Sequence, residues 1–520
     1  MARLRASQTQ ASHLRANRVI VAGLVLVAIG AVYGFTAITP SVIIKPASTT
    51  ILPTSLPVTS ALLACPAPGT GFPTGGGLAL ASSGDANGSG QAMLTELSPG
   101  GGSGAGTSAG TTVKVLTQPG QQLISRIPAA PKLPKSLTAV QQLAGGQVPT
   151  SMAGGGLIIQ AVGALAQGLD AEQLGPDGKP TARCLTPGAD FWYVTEASAK
   201  LHTQLYLLNT DSQPADVSVS VQTDAGPSVG VPDSGIVVPP YSMVTQDLSK
   251  LLRTGHAVSL NITTSSGRVV PAVRQTSDTT TEGTWLPVAQ QPTLSQILPG
   301  LPGGSGTPVL YLSVPGNQPA QVQVTAITQH GTYQPTGGGG ISLLSHVATG
   351  ISLPSLAGMA AAIKVTSNVP VAAEMLVPGG PSGAPGVFLT GAAPISQQAV
   401  LAASPAGSAG LTQLVLSAPL GAATVSVVQA IAGQSLTGQP AQTVQIPAHS
   451  TKSVLFHLTK GQSSADTIVL TVTPRPGSGP VYAARVAEAS GGPEGILPLV
   501  STPVSVPLPP VRESLVEILK

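Results

Sequence analysis

Charge is what this chain has least of. Of its 520 residues only 8% are Asp, Glu, Lys or Arg, against roughly 25% in an average protein. With a net charge of +3, it has no basic footprint of the kind that holds nucleic acid, so no nucleic-acid partner is expected. The 20 acids are scattered, and no pair is placed by sequence for general acid–base work, which argues against an enzyme. Aromatics are scarce too, with 2 Trp, 7 Tyr and 5 Phe, so the cores must pack on Val, Leu, Ile and Ala. Two cysteines exclude a disulfide-dense scaffold. The seven histidines include no pair at i, i+4 around a glutamate, so zinc spacing is absent and no metal or cofactor is expected.

What the chain does have is 62 Gly and 49 Pro, short of the level that would argue for wholesale disorder. Val, Ala, Leu and Thr fill much of the rest, a composition for strands and turns. Near the N-terminus, "VIVAGLVLVAIGAVYGFTAI" (Val19 to Ile38) carries no charge and is long enough to cross a bilayer core. Arg3, Arg5, Arg15 and Arg18 precede it, and Lys45 follows. The positive-inside bias then keeps residues 1–18 cytoplasmic and exports everything after Ile38, with the lipid bilayer as partner of residues 19–38. No clear small-residue cleavage site follows, so an uncleaved anchor is preferred over a cleaved signal or a buried helix. Residues 39–60, rich in Ser, Thr, Pro and Val, read as a stalk.

Behind the anchor, one β pattern recurs four times. "LALASSGDANGSGQAMLTEL" from Leu78, "LYLLNTDSQPADVSVSVQTD" from Leu205, "LYLSVPGNQPAQVQVTAITQ" from Leu310 and "LVLSAPLGAATVSVVQAIAG" from Leu414 each read as an opening hairpin. A short apolar strand leads through a turn to strict alternation, the period of a half-buried strand. A closing strand pair recurs from Gly156, Val258, Ala361 and Ile468. Six or seven short strands in each unit of roughly 75–100 residues predict immunoglobulin-like β-sandwiches. The expected architecture is all-β: sandwiches at 61–184, 185–278, 297–378 and 398–490, with a tail at 491–520. As a tandem array it would serve reach or display. Linkers are expected near Pro176 to Asp190, Thr279 to Gly306 and Pro378 to Ser408.

Cys65 and Cys184 both lie beyond the anchor, and an even count in an exported chain reads as one disulfide closing the first sandwich; two free thiols are the alternative. Several matches are composition rather than chemistry. "DANGSGQAMLTE" (Asp85 to Glu96) fits a calcium-loop pattern but lies between strands instead of helices. Gly106 to Gly110 spells a nucleophile elbow around Ser108 inside a Gly/Ser/Ala/Thr tract. Phe191, Trp192 and Tyr193 form an aromatic run that reads either as a sugar- or peptide-stacking patch or, preferably, as a core strand beside the disulfide. Trp285, in the linker "TEGTWLP", is expected to be more exposed and to dock one unit on the next.

Taken together, the arginine-rich N-terminus, the single span and "GLIIQAVGALAQGLDAEQ…ARCLTPGADFWYV…LYLLNTDSQPADVSVSVQTDAG" resemble an actinobacterial family of membrane-anchored envelope proteins known only as a domain of unknown function. The likeness covers roughly Cys65 to Glu488 and implies no catalytic residues. The function expected is a non-catalytic binding or scaffold module of the cell envelope, displayed outside the membrane for a protein or glycan partner not identified. Its rivals are an accessory or enzyme acting on cell-wall or capsular glycans, and a purely structural spacer.

Overall fold

The structure, a computed structural model, describes residues 23, 24, 26, 27, 55–66, 75–84, 88–99, 112–116, 122–128, 155–174, 180–228, 235–252, 256–278, 283–303, 306–379, 386–405, 410–431, 438–455, 467–489 and 492–508. Among them no helix is long and apolar enough to cross a membrane. Of the anchor segment 19–38, only residues 23, 24, 26 and 27 are among the described residues; the rest lies outside them. Beyond it the described residues are all-β, interrupted among them by two short 3-10 turns at Ala164–Ala166 and Pro354–Leu356.

Residues Ser55–Pro507 form one compact unit built from four β-sandwiches of one design. The fourth shows it in full. Its strands are Ala399–Pro405, Gly410–Ala418, Ala423–Ile431, Ala441–Ile446, Ser450–Leu455, Thr467–Pro474, Tyr482–Ala489 and Gly492–Pro498. Taken one to eight, they pair in the order 1-6-3-4 in one sheet and 5-2-7-8 in the other. The sandwiches spanning 60–183, 190–286 and 293–390 repeat that order. In the third, strands six and seven are the two halves of one long strand, Ala361–Val377, paired to different sheets.

This order departs from the expectation in two ways. The immunoglobulin constant order places strands one and two side by side, whereas here strand one pairs with strand six. The segments read as opening hairpins are arches between sheets: Leu201–Asn209 pairs with Ser242–Asp247 and Val270–Ser277, while its successor Ala215–Thr223 pairs with Ala257–Ser266. Alternation tells which face of a strand is buried but is silent on the partner. An arch that aims two apolar faces at one interior from opposite sides carries the same pattern as a hairpin. The regions read as linkers also hold the terminal strands of sandwiches, including Gly283–Leu286, Thr293–Leu301 and Val387–Thr390.

Each sandwich has its own aliphatic core, such as Leu205, Val217, Val219, Leu260 and Val273 in the second. The sandwiches then stack face to face. The second sheet of sandwich two packs Tyr206, Leu208, Met243, Val270 and Trp285 onto Ala64, Leu97 and Ile158 in the first sheet of sandwich one. Sandwich three sets Tyr311, Ala348 and Ala372 on Trp192, Val194 and Ala257 of sandwich two. Sandwich four continues with Val415, Ala484, Val486 and Ile496 against sandwich three. The last interface returns to the start, because Ala79, Ala81 and Leu174 of sandwich one pack on Val400 and Ala402 of sandwich four. A head-to-tail interface repeated with a rotation that closes makes a ring. Here four copies within one chain close it, in place of the open array expected from the repeats. The ends meet at this closure, with Ser55–Pro57 antiparallel to Ser505–Pro507.

One turn recurs with a backbone signature. Tyr241, His346 and His449 occupy equivalent positions between strands four and five, with φ of 48°, 58° and 55°. Each amide donates to a carbonyl at or just past the end of strand two: those of Asp211, Val314 and Ala418. The left-handed region is costly for side chains with a branched Cβ. His449→Val is therefore expected to lose roughly 1–2 kcal/mol in urea unfolding, and His449→Gly much less. Equal losses in the two variants would contradict the assignment of the cost to the backbone.

Candidate functional site

An open cleft of about 830 Å³ lies on sandwich four, bordered by Gln329 of sandwich three. Its floor is the edge strand Ala441–Ile446, which alternates Val444 and Ile446 inward with Thr443 and Gln445 outward. One wall is the turn Arg475-Pro476-Gly477-Ser478. Proline presets the second position of such a turn and glycine supplies positive φ at the third; Gly477 has φ 82°, and the Ser478 amide donates to the Arg475 carbonyl at 3.1 Å. The Ser478 hydroxyl donates to the Thr424 carbonyl at 2.9 Å, which fixes the turn against the sheet. The other wall is the start of strand Ser450–Leu455, which carries Lys452.

Two exposed cations overhang this floor. Arg475 Nη2 donates to Thr443 Oγ1 at 2.7 Å, and Lys452 Nζ to the Gln445 carbonyl at 3.4 Å. Thr443 and Gln445 are two residues apart on one strand face, a separation of about 7 Å. Arg475 and Lys452 are the charged residues of the lining, and no carboxylate borders it. Sequence reading missed this site because Lys452 and Arg475 lie 23 positions apart in unremarkable turns.

The residues singled out in the sequence lie elsewhere. Cys65 and Cys184 are disulfide-bonded, with Cα atoms 4.7 Å apart. Phe191 is half-buried, Trp192 is buried between sandwiches two and three, and Tyr193 is fully buried, its hydroxyl donating to the Pro271 carbonyl at 3.0 Å. These three rings are packing elements rather than an exposed strip. Trp285 is only 5% exposed, against the expectation of an exposed linker residue, because it sits on the terminal strand of sandwich two. Its ring lies 5.3 Å from that of Tyr206, and both pack on sandwich one. Asp85, Asn87 and Ser108 lie outside the described residues. Among the described residues no three His, Cys, Asp or Glu side chains converge to hold a metal.

A second polar feature is internal. At the interface closing the ring, Arg485 of sandwich four donates to Glu172 Oε2 of sandwich one at 2.8 Å, with both side chains at most 1% exposed. Beside them Arg183 donates through Nε to Asp170 Oδ1 and through Nη1 to the Pro498 carbonyl, each at 2.8 Å. Asp170 Oδ2 accepts the Ala402 amide at 2.8 Å. Burial pushes the Glu172 carboxyl up to about 7, opposed by the pull of Arg485. Glu374, buried between sandwiches two and three, is also driven well above the usual carboxylate range by burial. The buried ion pairs Arg183–Asp170 and Arg485–Glu172 both lie at the closing interface.

Comparison with known proteins places the chain. The family of unknown function DUF5719 matches residues 138–457, more than half of the length. This chain belongs to that family. The matched region reaches from the first sandwich into the fourth, so the family pattern extends over most of the ring. No curated protein matches the chain. Among solved structures, an anti-sigma factor domain-containing protein from Clostridium clariflavum aligns at 11% identity over 61% of this chain and 84% of that one, with a TM-score of 0.12.

Proposed function

We propose that this family member is a membrane-anchored, extracytoplasmic binding scaffold of the cell envelope that works without catalysis. Residues 19–38 would hold it to the membrane with the N-terminus cytoplasmic and the ring outside. In support, the four described residues of that segment are helical, and Leu24, Leu26 and Val27 are more than half exposed, as a lipid-facing helix requires. The Cys65–Cys184 disulfide suits an oxidising compartment. The observation that carries the reading is the closed ring. Its sheets pack against neighbours on their outer faces, which leaves loops and strand edges as the working surface, and there a cation-lined cleft opens.

A complementation assay tests this. Deleting residues 19–38 is expected to abolish the cellular role, because a scaffold acts by position. Ser108→Ala, Asp85→Ala and single histidine substitutions are expected to preserve it. An enzyme would behave in the opposite way, since one missing acid, base or nucleophile costs orders of magnitude in rate. A single polar substitution that abolishes the role in a normally folded and localised protein overturns the proposal.

A further inference from the structure

The binding reading leaves the ligand open, and the cleft on sandwich four narrows it. Resting on that reading, we propose that this cleft takes a linear anionic glycan, a chain of sugar or polyol units that carries carboxylates or phosphodiesters along its length. Charge is the first argument. Lys452 and Arg475 overhang the cleft, neither has a carboxylate partner among the described residues, and no carboxylate lines the site. Guanidinium and ammonium groups are the side chains that carboxylate and phosphate select.

Spacing is the second. The two cations rest over Thr443 and Gln445, alternate residues of one strand, so successive anions of an extended polymer meet both. The lining also carries hydroxyl and amide side chains, Thr424, Thr443, Gln445 and Gln329, to meet sugar hydroxyls, and apolar surface at Ala422, Pro447 and Pro476 to meet the ring faces. A peptide added as an extra strand is disfavoured, because the Lys452 ammonium sits on the Gln445 carbonyl of the edge it would pair with. A nucleic acid would want an aromatic platform for its bases, and no aromatic lines the cleft.

The test uses the full chain in detergent and immobilised polygalacturonate, poly(glycerol phosphate), neutral dextran and poly-L-glutamate. The expected result is retention on one or both anionic glycans, weakening as salt rises, with little on dextran or polyglutamate. Retention on polygalacturonate alone identifies the carboxylate source, and on poly(glycerol phosphate) alone the phosphodiester. Lys452→Ala/Arg475→Ala is expected to weaken retention by about tenfold or more, and Lys452→Glu/Arg475→Glu to abolish it. Both side chains are exposed, so an unchanged melting temperature separates lost binding from lost fold. Arg268→Ala, which removes an exposed ion pair with Asp211 in sandwich two, is expected to bind as the unaltered chain does. Equal retention on dextran or polyglutamate, no retention on either anionic glycan, or retention by the double alanine variant within about twofold each overturns the proposal. Those outcomes leave the scaffold reading to stand or fall on the anchor deletion.

Discussion

Arg485→Ala is expected to destabilise the ring by about 3–5 kcal/mol, the cost of stripping a buried charge of its partner. The side chain is 1% exposed and bridges to Glu172 across the interface between the first and last sandwiches. Its loss leaves a carboxylate in an interior that also holds Asp170. A paired change, Glu172→Leu with Arg485→Met, is expected to be far milder, because replacing both members of a buried pair by apolar groups is often neutral. Urea unfolding of the three proteins decides. A single-variant loss under about 1 kcal/mol would mean that the closing interface is wet or already open.

The same pair sets a pH dependence. Burial lifts the folded-state pKa of Glu172 from 4.5 to about 7, so the folded ring holds this proton more tightly than the unfolded chain. The stabilisation from that difference is fully present below the unfolded value and is lost as pH rises through about 7. On the order of 3 kcal/mol is at stake between those limits. Glu172→Gln is expected to flatten stability across that window. Arg485→Ala should cost more at pH 8 than at pH 5, where the proton already neutralises Glu172. Parallel pH profiles for the unaltered chain and Glu172→Gln would refute the assignment.

Removing the disulfide is the other large effect. Cys65 lies on the first strand of sandwich one and Cys184 just past its last, 119 residues later, so the bond ties the two ends of that sandwich together. Cys65→Ala with Cys184→Ala is expected to cost about 4–5 kcal/mol in the loop-entropy account, or within about 2–5 kcal/mol by experience with native disulfides. Sandwich one forms both the closing interface and the contact with sandwich two. Its unfolding should therefore expose Trp285, and intrinsic fluorescence should report the loss at the same urea concentration as the closing interface. A loss under about 1 kcal/mol would show that the ring, rather than the crosslink, holds this sandwich together.

Much of the architecture could be read locally. The alternation at Val217, Val219 and Val221 declares a strand with one buried face, and all three are buried. The four related segments from Leu78, Leu205, Leu310 and Leu414 declare four copies of one unit, and an even pair of cysteines in a chain read as exported declares the bond between Cys65 and Cys184. These features were legible because side-chain period, turn composition and repetition are properties of short stretches. The partner of each strand was not legible, since a hairpin and an arch share the same alternation. Nor was the closure of the ring, because its contacts join residues far apart in the chain: Glu172 and Arg485 are separated by 313 positions, and each looks like an ordinary strand residue in its own segment. Trp285 misled for the same reason. Its polar, glycine-bearing surroundings suggested exposure, while its burial comes from Tyr206 and from the sheet of sandwich one. The cleft likewise exists only once the turn at Arg475 is folded beside the strand of Thr443 and the head of Lys452. Local sequence determined what each segment would be, and packing between distant segments decided what the segments together could bind.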